Sequence, residues 1–244
     1  MPLQAAIFVM SLECSPAHSF AHKLDMAKKY VISGIELWWE DLLAVRKLRG
    51  MCDKHSLQII SIQSFYHYEG LRDRSIHEQQ ELTDDAAVRL ADLRKMADLG
   101  LDKRPIMRFC YESLAWDTNA DTWEKSLEVV QQVDRPNFGI CLDAFNIAAR
   151  VFADSAAPSG CARDGMKELV SSLERLRCSV EPAKVFLVQL VDAGRLKEPL
   201  VEGHELYQAA QPSRMSWSRN CRLFYGEHGG YLPIREIAWC CFMI

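Results

Sequence analysis

Short β-rich runs alternate along the chain with longer polar segments whose apolar residues recur at helical spacing, the pattern of parallel strands joined by helical crossovers. The first run is Ile7 to Ser11. Ser19 stands near the start of the following helix, in which Leu24, Ala27 and Tyr30 share a face. Gly34 opens a second strand, Ile35 to Trp39. Asp41 is placed to cap a helix through Leu42, Val45, Leu48 and Cys52, and Leu57 to Ile62 reads as a third strand. A long helix is expected from Thr83 to Leu99 with Gly100 as its stop, then a strand Ile106 to Tyr111 that ends at Glu112. A helix from Asp121 to Val133 leads through Arg135-Pro136 to the strand Phe138 to Leu142, which ends at Asp143. After a helical stretch near Gly165 to Arg177 comes the most apolar strand, Lys184 to Val191. The chain reads as irregular from Glu198 to Gly230, with one more helix from Leu232 onward.

This rhythm predicts an α/β chain of the (β/α) TIM-barrel type, incomplete, with about six of eight strands. The segment Ser64 to Asp102 holds one helix where a complete barrel needs helix, strand and helix, and no closing strand follows the last helix. A doubly wound open sheet is the alternative, but its G-x-G-x-x-G fingerprint after the first strand is absent. Residues 1–244 therefore read as a single domain that lacks an internal strand near 76–84 and a last strand at the C-terminus.

Composition narrows the partners. Of 244 residues, 49% are hydrophobic and 25% charged, enough for a sizeable core and unlike a disordered chain. No apolar run is long enough for a spanning helix, so no membrane partner is expected. Against 33 Asp+Glu stand 29 Lys+Arg, a net charge of −4, which supplies no electrostatic reason for nucleic-acid binding. The nine Cys are an odd number with no C-x-x-C pair, which suits a reducing compartment. The apolar N-terminal stretch has no Lys or Arg before it, unlike a secretory signal, and the cytoplasm is the expected location.

Chemistry in parallel sheets gathers at the carboxyl ends of the strands. Three consecutive strands end in an oxygen donor: Glu112, Asp143 and, late in the third, Gln189. Hard oxygen ligands suit a divalent cation such as Mg²⁺ or Mn²⁺. The ordinary reading of Glu112 and Asp143 is a solvated loop start or a helix cap, and that of Gln189 a satisfied core amide. A second group, Phe65-Tyr66-His67-Tyr68-Glu69-Gly70-Leu71-Arg72, follows the third strand. His67 there is a candidate general base, since an unperturbed imidazole titrates at about 6.5; an aromatic plug with His67 merely hydrogen-bonded is the alternative. A third group, Ser213 to Arg222, carries Arg214, Arg219 and Arg222, a match for a carboxylate, or else an exposed basic loop.

Four blocks together carry a family resemblance: Arg108 to Trp116 around Glu112, Gly139 to Ile147 around Asp143, Val188 to Ala193 around Gln189, and Ser216 to Phe224. The chain resembles fungal 3-dehydroshikimate dehydratases, members of the xylose isomerase-like TIM barrels, over about Ser11 to Leu232. The resemblance implies a lyase that removes water from 3-dehydroshikimate to give protocatechuate, in quinate and shikimate catabolism. It also implies a divalent metal, Mg²⁺, Mn²⁺ or Co²⁺, held by Glu112, Asp143 and Gln189. Ser218, Arg219 and Arg222 fall in the substrate-binding block, Arg72 and Asn146 are placed near the substrate, and His67 is the choice for the base.

The departures from the family are the missing internal strand and the missing last strand with its fourth ligand, a Glu. The ending Trp239 to Ile244, apolar and Cys-rich, resembles a changed reading frame or a retained intron. Three readings stand at this point. The first is the dehydratase, intact or impaired. The second is an inactive truncated remnant that at most binds a ligand, a partner or a second copy of itself across its open strand edges. The third is a sugar isomerase or epimerase of the same superfamily, for which the metal triad serves equally well but the guanidinium cluster has no use.

Overall fold

The computed structural model describes residues 4–8, 19–38, 45–63 and 86–244, which gather into two compact units, residues 1–68 and residues 69–244. The Asp41 cap, His67, Arg72 and the stretch 76–84 lie outside the described residues.

In the first unit, strands β1 (Ala6–Phe8), β2 (Gly34–Trp38) and β3 (Gln58–Gln63) form a parallel sheet in the order β1-β2-β3. Helices α1 (Phe20–Lys29) and α2 (Val45–Lys54) are the crossovers. Ser19 caps α1 as its position suggested, its hydroxyl accepting the His22 N–H at 3.2 Å. Leu24 and Ala27 bury their side chains with Ile35, Leu37, Cys52 and Leu57. Tyr30, expected on the same face, is instead the C-cap residue and is 64% exposed, because α1 ends at Lys29.

The second unit contains α3 (Ala86–Leu101), β4 (Phe109–Glu112), α4 (Trp123–Val133), β5 (Phe138–Asp143), α5 (Ala144–Val151) and α6 (Gly165–Ser179). It continues with β6 (Val185–Gln189), β7 (Val191–Ala193), α7 (Ser213–Cys221), β8 (Arg222–Phe224) and α8 (Ile234–Phe242). Strands β4, β5 and β6 form a parallel sheet with β5 in the middle, buried along its whole length. The six parallel strands β1 to β6 are the ones that the hydrophobic pattern predicted.

Specific bonds seat the central strand. Thr122 caps α4, and the indole of Trp123 donates to Ser172 Oγ at 2.9 Å, joining α4 to α6. The Asn137 amide donates to the carbonyls of Ala97 and Met107, at 2.8 and 2.9 Å, so the entrances to β4 and β5 are fixed by one side chain. Among the described residues no helix is long and apolar enough to cross a membrane.

The structure departs from the sequence reading at four further places. Gly100 does not stop a helix but lies inside α3, where an added Cβ would stand 2.6 Å from the Phe109 ring; its role is close approach of the chain leading to β4. Helix α5 was not anticipated, because it starts directly from the end of β5 with no turn between them. The apolar run 184–191 is two strands: β6 ends at Gln189, and β7 pairs antiparallel with β8. Finally, the stretch read as irregular contains α7, whose inner face includes Ser216 and Ser218 beside Met215 and Trp217.

Close contact also governs the β5–β6 junction. A Cβ on Gly139 would meet the Lys184 carbonyl oxygen and come within 2.7 Å of the Phe186 ring. Gly139→Ala is therefore expected to lower the unfolding free energy by about 1–3 kcal/mol through forced overpacking, read as a fall in the urea midpoint. An unchanged midpoint contradicts the close approach.

Candidate metal centre

Strand register decides which side chains share a face. Residues two apart on a strand point the same way, and paired residues of neighbouring strands do too. Glu112 pairs with Cys141, and Asp143, two residues on, pairs with Gln189. Glu112, Asp143 and Gln189 thus share one face at the carboxyl ends of β4, β5 and β6.

Asp143 is held through both of its oxygens. Its side chain is fully buried. Oδ1 caps α5, accepting the N–H groups of Phe145 at 2.7 Å and Asn146 at 3.2 Å. Oδ2 accepts from Asn146 Nδ2 at 3.1 Å and from Arg222 Nη1 at 2.9 Å. The helix-cap reading of Asp143 is correct for one oxygen, while the other accepts from a neutral amide and a guanidinium.

Asn146 brings the two carboxylates together. Its Nδ2 also donates to Glu112 Oε1 at 2.9 Å, so Glu112 Oε1 and Asp143 Oδ2 are at most 6.0 Å apart. Its Oδ1 accepts the Ala115 N–H at 3.1 Å, which ties the loop after β4 to α5. Asn146 is 2% exposed, and this bonding places it between the acids.

The block expected to bind substrate folds around the same acids. Arg222, at the start of β8, donates from Nε to Ser218 Oγ at 3.0 Å and stacks over the Phe145 ring at 4.3 Å. Arg219 donates from Nη1 to Gln211 Oε1 at 3.0 Å, and Gln211 Nε2 donates to Ser216 Oγ at 2.6 Å. Gln211, which positions Arg219, was missed; it stands outside every quoted block, and its only local signal is the following Pro212 that starts α7. Arg214 points elsewhere: its Nε donates to the Ala149 carbonyl at 2.8 Å, and burial lowers its guanidinium below the usual range.

Two thiols complete this face. Cys110 and Cys141 lie two residues before Glu112 and Asp143, on the same side of the sheet. The hydrogen bond with Cys110, together with burial and the nearby Glu112 charge, pushes the Cys141 thiol well above its ordinary value. Among the described residues no group of three or more His, Cys, Asp and Glu side chains is placed to hold a metal. A centre here rests on two carboxylates and one amide. His67 and Arg72 lie outside the described residues.

No protein-family model matches the chain. A 3-dehydroshikimate dehydratase of Neurospora crassa is 40% identical over 293 residues, covering 98% of this chain and 82% of that protein. A 3-dehydroshikimate dehydratase of Pseudomonas aeruginosa is 25% identical over 93% of this chain, which spans 34% of the bacterial protein. Among solved structures, a xylose isomerase-like TIM barrel/4-hydroxyphenylpyruvate dioxygenase fusion protein matches with a TM-score of 0.62 at 23% identity, over 92% of this chain and 34% of its own. The probable 3-DHS dehydratase AsbF of petrobactin synthesis from Bacillus anthracis matches with a TM-score of 0.56 at 18% identity, over 97% and 88%. The IolI protein, solved with a zinc atom, matches with a TM-score of 0.56 at 15% identity, over 99% and 85%. The fold is that of the xylose isomerase-like TIM barrels.

The bridging amide makes the first prediction about this face. Asn146→Leu leaves two neighbouring carboxylates and the Ala115 N–H without their common partner. It is expected to cost about 1–3 kcal/mol for the unmade buried bonds, measured by urea unfolding. A loss below about 0.5 kcal/mol would mean that water or another donor replaces the amide.

Proposed function

This chain belongs to the 3-dehydroshikimate dehydratase family, and from that premise we propose that it removes water from 3-dehydroshikimate to give protocatechuate. The reading is carried by the 40% identity that extends over 98% of the chain. The small-molecule substrate, the hydro-lyase reaction and the pathway of quinate and shikimate breakdown belong to the same proposal. That alignment runs over 293 positions in a chain of 244 residues, so gaps lie within it; the reading of residues 1–244 as one barrel domain without a strand near 76–84 is part of the same proposal.

The residues fit a divalent cation. Glu112 and Asp143 offer carboxylate oxygens at most 6.0 Å apart, and Gln189 is the register partner of Asp143, so Mg²⁺, Mn²⁺ or Co²⁺ would meet hard oxygen donors. When bound, such a cation supplies Lewis acidity to the ketone while the adjacent carbon loses its proton.

The chain's own residues do the rest. The dehydration takes a proton from the carbon beside the ketone and a hydroxyl from the carbon after it, and ring aromatisation draws the elimination forward. His67 is the proposed base for that proton. Ser218, Arg219 and Arg222 are the proposed contacts to the substrate, with the guanidinium groups toward its ring carboxylate. Gln211 holds Arg219, and Phe145 supports Arg222 from below. Arg72 and Asn146 belong to the same proposed site, Asn146 through its hold on the two acids.

Incubation of the purified chain with 3-dehydroshikimate and each of Mg²⁺, Mn²⁺ and Co²⁺, followed by protocatechuate absorbance, tests the reading. Product is expected with at least one cation, and EDTA should abolish it. Glu112→Gln and Asp143→Asn are each expected to lower kcat/KM by about 100-fold, at the upper end of metal-site effects. Absence of product with all three cations overturns the assignment for this chain.

A further inference from the structure

Asp143 has all of its acceptor positions in use. A carboxylate offers about four lone-pair sites. Two are taken by the α5 cap, one by Asn146 and one by Arg222. The donors of the cap bonds are backbone N–H groups of α5, and Asn146 is held in turn by Glu112 and Ala115. Arg222 alone of the four partners comes from a distant part of the chain, and its side chain is 31% exposed where that of Asp143 is fully buried.

A buried carboxylate also needs a compensating positive charge, because an unpaired ion in a low-dielectric interior is strongly unfavourable. Arg222 is the cation that supplies it.

We propose that Arg222 is an internal counter-cation that competes with the divalent metal for Asp143 Oδ2. Arg222 neutralises Asp143 in the metal-free chain, and it leaves Oδ2 when a cation of higher charge takes that position. Its other supports, Ser218 Oγ and the Phe145 ring, keep the released guanidinium beside the acids, where it meets the carboxylate of an incoming anionic substrate. Metal loading and substrate capture are thereby coupled through one side chain. This inference rests on the metal-centre reading given under the proposed function.

Mn²⁺ binding to the metal-free chain, followed by calorimetry and by the EPR signal of free Mn²⁺, tests the exchange without reference to turnover. Arg222→Met should bind Mn²⁺ about tenfold more tightly than the unaltered chain, within the roughly 5–150-fold span of ordinary site coupling. Arg219→Met removes a cation from the same block without touching Asp143 and should leave the affinity within about twofold, inside that coupling threshold. The melting temperature supplies a second readout: metal-free Arg222→Met should melt below the unaltered chain, and saturating Mn²⁺ should raise it by the larger increment. Equal or weaker Mn²⁺ binding by Arg222→Met overturns the competition alone, as does an equal gain in Arg219→Met. No Mn²⁺ binding by any of the three chains overturns the metal-centre reading and the competition together.

Discussion

Burial of one carboxylate organises this end of the molecule. Asp143 is a charge placed where water cannot reach it, and such a charge is tolerated only when hydrogen bonds and an opposite charge surround it. Three of the four groups that answer the need come from the first turn of α5, and the fourth from a distant part of the chain. The start of α5 gives two backbone N–H groups, the first turn of α5 gives the Asn146 amide, and the junction of α7 with β8 gives Arg222. Through Asn146 the requirement extends to Glu112 on β4, and through Arg222 to Ser218 and Phe145. The convergence of strand, helix and loop on one point follows from that single desolvated group.

Much of this arrangement could be read in advance, and the unread parts have physical causes. The parallel strands showed through because short apolar runs are bounded by polar, helix-spaced segments. Glu112, Asp143 and Gln189 stood out because an oxygen donor at a strand's carboxyl end is conspicuous beside Val, Ile and Leu. Helix α5 stayed hidden because Ala144 to Ala149 are all buried, so no polar stripe marks a period, and because its cap was already counted as the end of β5. Helix α7 was obscured for the opposite reason. It buries serines that are satisfied by Gln211 and Arg222, and buried hydroxyls look like surface in a sequence. The break at Leu190 lies within a run that is apolar on both sides of Gln189, where periodicity carries no information about a change of strand partner.

The bond between Asp143 and Arg222 belongs to a different category. The two residues are 79 positions apart, and both had been assigned separate duties, one toward a metal and one toward a substrate. Their direct contact links a proposed metal ligand to a proposed substrate contact. It also explains why a guanidinium suits this position better than an ammonium would: Nη1 reaches Asp143 while Nε reaches Ser218 and the planar group lies on Phe145.

The antiparallel pairing of β7 with β8 has an architectural consequence. Ala193 stands opposite Arg222, Gly194 receives a bond from the Trp217 indole and donates one to the Cys221 carbonyl, and Gly194 bridges Gly230. The excursion between these fixed ends is therefore a closed loop with a solvent-facing tip at Val201–Gly203. Extending a loop whose ends are already clamped adds little entropy cost, roughly 0.6 kcal/mol per doubling of length. That tip is a natural place to graft a fluorophore or a fused module, leaving the acid pair and its arginine undisturbed.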